Sequence, residues 1–576
     1  MRNRISLLTS TLLLLSFVII GQTTFVQGGT PKVPLFSCSP STLEQSIPDD
    51  GRWLQVCLLD PMAPEGTTVS AVHVKFLIEH PDPDQLEIRL SREDVGVEEI
   101  LWGRGKTTRA EFERASDFEA FPELQPQSAR PLWIGKSVDL EAFRGAPSQG
   151  KWYLWIRDVV PGQSGRLKSA SLVVEYVPTG PLPTVLSGDP GRPTARRLPD
   201  GVLPSQTPDR DKGKTGGESI SPLSSGDWRV IKEETFEGVF PNGGWTLIDA
   251  NSNDEKEYLW DDDDYRRHRG YWAAWPANGG ADGYDPATNP RYPPNMASWM
   301  IYGPFDLSDA RAARVSFWLW RQIEVRFDRL FFGISPDCHI FYGWQWDGTA
   351  DWQEMQFGLD SYLGDSSVWV GWLFESDSTV QYEGPWVDDI LIEYMPGQVI
   401  VQGQLRYLDR QNNPASGSFV KVYLYEEDPW GQDDLLDTTV TDASGFYQFP
   451  ARVNWDEDGR TDSIDRDPRL DLYVVWETDV KDSQTARRRV LNLDSETYRF
   501  YSKKQMNVRS GVVDLSENVR DDQRVALWIF QDLRRAWEYV IIDLRFFKVT
   551  ITTPIRYIGS KKAIRQSPFP FVPEKC

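Results

Sequence analysis

The stretch VSAVHVKFLIEH, residues 69–80, decides how the chain reads. Val72, Val74, Phe76 and Ile78 recur at every second position, with His73, Lys75 and Glu79 between them. A period of two sends alternate side chains to opposite faces of a strand, so one face is built for a core. QLEIRL (85–90), KWYLWIRD (151–158) and SLVVEY (171–176) repeat the pattern. HPDPD, PSQG and PGQSG punctuate it with turn residues. Strands so spaced form an antiparallel sandwich, here spanning residues 33–178.

The rest of the chain follows the same grammar. At 576 residues it has room for several cores, and its 24 Trp, 27 Phe and 21 Tyr favour strand-rich modules with aromatic interiors. A net charge of −23 argues against a nucleic-acid partner, which needs clustered Lys and Arg. MRNR followed by the apolar run Leu7–Gly21 reads as a signal peptide over residues 1–28, cleaved near Gly28; the alternative is an uncleaved anchor. The protein is therefore expected to be secreted or held at the cell surface. Four cysteines suit an oxidising compartment. Cys38 and Cys57 flank the turn IPDDG, and a bridge between them would contribute about 3 kcal/mol by loop closure.

The order IPDDG, VHVKFLIEHPDPDQLEIRL, FRGAPSQGKWYLWIRD and SGRLKSASLVVEY resembles the P/Homo B domain found beside the catalytic domain of subtilisin-like proprotein convertases. The resemblance implies a jelly roll that stabilises or escorts a peptidase. It departs from the family where Lys168-Ser169-Ala170 stands in place of the Trp that usually follows the Gly-x-Leu turn. Residues 179–226 are dense in Pro, Gly, Ser and charge, and are expected to form a disordered linker holding its neighbours on the order of 40 Å apart.

ETFEGVFPNGGW, SWMIYGPFDLS and GPWVDDILIEY then carry a second module, residues 227–396. They resemble the MAM-related, lectin-like jelly roll that accompanies immune-inhibitor-A-type bacterial metallopeptidases. Glu237 with Asp388 and Asp389 are candidate Ca²⁺ ligands, because paired first and last strands of such a roll can bring them together, and the resemblance implies the same. The run WDDDDYRRHRG (260–270) offers carboxylates too, but also reads as a solvated acidic turn paired with Arg266, Arg267 and Arg269.

Residues 399–480 form a third module, in which Asp442–Phe449 (D-x-x-G-x-Y-x-F) resembles the transthyretin-like, carboxypeptidase-regulatory sandwich. Inside it, NWDEDGRTDSID places Asn454, Asp456, Asp458, Asp462 and Asp465 at the ligand spacing of a twelve-residue Ca²⁺ loop. Asn at the first position, Asp at the last and the want of flanking helices leave an acidic hairpin connection as the alternative. Last comes RVALWIFQDLRRAWEYVI (524–541), where Val525, Trp528, Ile529, Leu533, Ala536, Trp537 and Val540 mark a helical stripe, with Asn518 as the expected N-cap. WIFQDLRRAWEYV resembles the opening helix of secreted zinc peptidases, so residues 481–576 read as a helix-containing tail at the threshold of such a domain.

The chain is thus expected to be all-β: three antiparallel sandwich or jelly-roll modules in series with one C-terminal amphipathic helix. No H-E-x-x-H occurs, so no Zn²⁺ is expected, and no serine-peptidase constellation surrounds the four histidines. The leading reading is a secreted, non-catalytic binding protein of the peptidase-accessory kind, with Ca²⁺ bracing loops and an extracellular protein or glycan as partner. One alternative is a zinc metallopeptidase whose catalytic domain is missing or separately encoded; another is a structural spacer.

Overall fold

The computed structural model describes residues 44–103, 109–114, 131–199, 228–251, 256–428, 432–456, 468–481, 487–521 and 523–543. The signal peptide, Cys38, Cys576, most of the linker and the end of the tail lie outside them. Among the described residues the fold is strands in three sandwiches plus one α-helix and three short 3-10 turns. No helix among them is long and apolar enough to cross a membrane.

In the first sandwich the strand that opened the reading, Thr68–Glu79, is the middle of a five-stranded sheet, paired antiparallel with Gly165–Val177 and Leu132–Ser137. It faces a four-stranded sheet built on Trp152–Asp158 and Leu86–Arg92. Val72, Val74, Phe76 and Ile78 enter the core between the sheets, as alternation requires. The opposite face holds a surprise: His73, Lys75, Leu77 and Glu79 are buried as well. The second sandwich covers His73 and Lys75, through Phe327 and through Glu324 and Asp377, while Leu77 packs on Ile134 of its own sheet.

That second sandwich packs a seven-stranded sheet on a six-stranded one. Its interior is unusually aromatic, with Trp260, Trp275, Trp372 and Trp386 fully buried. Two of its strands come from the segment expected to be linker. Thr184–Ser187 pairs with Gly348–Gly358, and Arg192–Arg197 pairs with Ile340–Trp346 along six residues. The linker expectation is corrected here. Arg192–Arg197 is an edge strand, the place where a sheet accepts Pro193, and its charges are paired rather than solvated. Arg196 is buried against Glu375 at 3.0 Å, and Arg192 meets Glu175 and Asp347 at 3.0 and 2.9 Å.

The third sandwich centres on Gln398–Leu408 and extends past residue 480. Arg499–Tyr501 pairs with Leu472–Glu477, while Gly511–Asp514 and Glu517–Val519 run parallel to Gln398–Leu408. Asn518 therefore lies in a strand, not at a helix cap. The helix, Arg524–Asp543, begins after Asp521, whose carboxylate accepts from the Gln523 amide at 3.0 Å. Ala526, Leu527 and Phe530 enter the third core, flanked by Trp528, Ile529 and Leu533. Trp528 donates its indole N–H to the Leu408 carbonyl at 2.7 Å, and Gln531 donates to the Ser418 carbonyl at 2.7 Å. The helix thus closes the third sandwich, rather than opening a further domain, over the described residues.

Candidate functional site

The turn 264–272 of the second sandwich sits over the outer face of the seven-stranded sheet. Two carboxylates hold its backbone and a third holds a side chain. Asp388 Oδ2 accepts from the amides of His268 and Arg269 at 2.9 and 3.2 Å, and its Oδ1 accepts from the Asp389 amide at 2.7 Å. Glu237 Oε1 accepts from the amides of Tyr271 and Trp272 at 2.6 and 3.0 Å. Gly270 lies between them at φ +67°, a conformation that side-chain-bearing residues rarely adopt, and a Cβ there would meet Glu237 Oε1 and force that carboxylate to shift. Asp389 holds the His268 ring, Oδ2 to Nδ1, at 2.7 Å. Burial, then the neighbouring Asp389 charge, pushes the Asp388 carboxyl up to about 8.

Aromatic side chains form the floor. His268 stacks on Trp318 with centroids 3.6 Å apart and planes 11° from parallel, and Trp352 tilts against it at 5.7 Å. The Arg266 guanidinium lies 3.7 Å over the Trp320 ring and is paired with Glu383. Trp318, Trp320 and Trp352 are only half buried, and Tyr265 and Tyr271 are exposed. Strand alternation explains the display: Trp318 and Trp320 point outward from Ala310–Ile323, while Phe317 and Leu319 fill the core.

The expected Ca²⁺ ligands are thus gathered around one turn, but they do not form a close three-carboxylate group. Each instead spends oxygens on turn amides or on His268. Among the described residues, Arg266 is paired with Glu383, outside the aspartate run, and Arg269 lies 3.9 Å from Asp389. In the third sandwich, Asp458, Asp462 and Asp465 lie outside the described residues. Asn454 is buried, donating to Asp309 at 2.8 Å and to the Val508 carbonyl at 2.7 Å while accepting from the Leu470 amide at 3.2 Å. It acts there as a clamp between the second and third sandwiches. The Asp456 amide donates to the Pro468 carbonyl at 2.8 Å. Cys57 is disulfide-bonded, its partner lying outside the described residues. His80 is an interior bridge, its Nδ1 2.7 Å from the Asp82 carbonyl and its Nε2 3.1 Å from Asp158.

A cluster that sequence reasoning missed lies between the first two sandwiches. Glu324, Asp328 and Asp377 each bring an oxygen within 4.8 Å of the others, the one such acidic trio among the described residues. The Lys75 ammonium from the first sandwich reaches into it. The alternation of the strand marked Lys75 only as one of several outward polar residues, with His73 and Glu79. Beside the cluster, a cleft of about 680 Å³ including its open mouth runs along the seam, lined by Asp60, Met62 and Ser171 on one side and Asn295, Arg329 and Glu375 on the other.

No family model matches the chain, and no curated protein does. Among solved structures it is similar to a 9R-lipoxygenase from Cyanothece PCC8801, with 17% identity over 21% of this chain and TM-score 0.15. It spans 16% of that lipoxygenase. It is also similar to the K1 cleaved adhesin domain of Lys-gingipain from Porphyromonas gingivalis W83, with 16% identity over 28% of this chain and 96% of that one, TM-score 0.21. A third likeness is to TmCBM61 in complex with β-1,4-galactotriose, with 10% identity over 29% of this chain and 86% of that one, TM-score 0.16. At these scores the likenesses say nothing about ligand or activity, and the chain's own geometry has to carry the reading.

Proposed function

We propose that this chain is an extracellular binding protein whose second sandwich presents a glycan-binding face at the 264–272 turn. The observation that carries the reading is the half-buried Trp352 on the outside of the sheet, beside the His268–Trp318 stack and the Arg266-covered Trp320, with Tyr271 and Arg269 exposed on the turn. A pyranose ring has apolar C–H faces that pack on aromatic rings and hydroxyls that need planar, fixed hydrogen-bonding partners. Trp352 and Tyr271 supply the first; Arg269, whose side chain is 61% exposed, supplies the second. A rigid turn lowers the ordering cost of binding, and Asp388 and Glu237 hold the turn's amides at residues 268, 269, 271 and 272, while Asp389 holds the His268 ring. The peptidase-accessory resemblances of the three modules describe the setting of such a binder: extracellular and non-catalytic in this chain.

The test is a glycan array probed with the full secreted chain, beside Trp352→Ala and Tyr271→Ala. Binding to a defined set of glycans, lost in both variants at unchanged melting temperature, is expected. An array without hits would remove the glycan reading and leave a protein ligand or a spacer role.

A further inference from the structure

Lys75 is 2% exposed, and its ammonium lies 2.5 Å from Glu324 and 2.6 Å from Asp377, with the Thr379 carbonyl at 3.2 Å. Phe327 caps it, its ring centroid 4.8 Å away. Asp328 is deeper: Tyr292 donates its hydroxyl to it at 2.5 Å and the Asp377 amide donates at 2.7 Å. Lys136, half exposed on the neighbouring strand, reaches Glu324 at 3.3 Å. Both lysines belong to the first sandwich and all three carboxylates to the second. The charges do not balance: three carboxylates face two ammonium groups, only one of them buried. A surplus negative charge in so dry a place is costly unless a proton neutralises it.

We infer that the seam between the first two sandwiches is a proton-linked latch, closed by the Lys75 ammonium together with one proton held by Glu324 or Asp328. The directions of titration agree. Burial, then Asp377, pushes Glu324 up to about 7, and burial with the same neighbours holds Asp328 well above the carboxylate range. Burial pulls Lys75 down, but Asp377 and Glu324 outweigh it and keep it charged. Tyr292 and Tyr382, the other titratable groups facing the cluster, are both pushed up and stay neutral, with Arg291 acting on Tyr382. A carboxyl with a higher value in the closed seam takes up a proton on closure. Closure is therefore fully supported below the ordinary carboxylate range and loses that support as pH rises through about 7.

The experiment is hydrogen exchange by mass spectrometry on the full chain from pH 5.5 to 8.5, corrected for the intrinsic pH dependence of exchange. Peptides covering 68–79 and 370–380 should lose protection at least tenfold across that range relative to the core strand Trp152–Asp158, and Glu324→Gln should flatten the loss. If Glu324→Gln does not fold, the wild-type profile decides alone. Seam protection that tracks the core strand at every pH would overturn the latch. So would a profile that changes with Ca²⁺ or chelator, because a metal ion, not a proton, would then supply the missing charge.

Discussion

Asp388 and Asn454 show how far single residues could be read. Both are candidate oxygen ligands by sequence, and both are buried and engaged, Asp388 with backbone amides and Asn454 with the Asp309 carboxylate and backbone. Sequence spacing reports which oxygens could meet; it does not report which amides reach them first. Because the three carboxylates near the 264–272 turn already accept from amides and from His268, we expect a chelator to move the melting temperature of the second sandwich by less than about 1 °C. A larger fall, reversed by Ca²⁺, would show that these acids bind a cation. At Asn454 the expectation is sharper. Asn454→Asp removes both donors and sets a carboxylate against Asp309, leaving a buried unpaired charge, so it should cost about 3 kcal/mol or more in denaturant unfolding. A change below 0.5 kcal/mol would mean the clamp is not formed.

At the scale of elements, periodicity performed well wherever one face met one core. The alternation of Thr68–Glu79 located the inward side chains directly. It could not see that the outward face of Thr68–Glu79 meets a second sandwich, because that contact joins residues 75 and 324. Composition misled over Thr184–Ser187 and Arg192–Arg197, since Pro and charge mark linkers only while the charges are solvated. The helix was legible as a helix, and Trp528, Ile529 and Leu533 of the expected stripe do flank the third core, but the deep contact falls to Ala526, Leu527 and Phe530, outside that stripe. Phe530→Ala should therefore cost about 3–5 kcal/mol, while Tyr539→Ala, at an exposed site, should stay within about 0.5 kcal/mol. Equal effects would place the wrong face against the third core. Trypsin under native conditions should likewise spare Arg196, which is strand-paired and buried; early cleavage there would dissolve the edge strand.

For the molecule as a whole, the seam matters more than any one sandwich. Besides the Lys75 cluster, Arg196 and Arg329 share Glu375, whose carboxyl those two cations hold, against the opposing effect of burial, down at about 2. Arg196 also donates to the Val174 carbonyl at 3.3 Å, and the Arg197 amide donates to the Met62 carbonyl at 2.9 Å, so the former linker stitches the first sandwich to the second. None of this was visible in local patterns, which describe strands one at a time. The modules were legible; their fusion was not. Its consequence is that the sandwich carrying the aromatic face is joined to the first sandwich through buried polar contacts.

That face is the central claim, and isothermal titration of an oligosaccharide selected on the array into the full chain tests it most directly. The account predicts one site per chain, with affinity falling at least tenfold, about 1.4 kcal/mol, for Trp352→Ala while the melting temperature holds. Unchanged affinity in Trp352→Ala and in Tyr271→Ala would contradict it and move the ligand off this sheet.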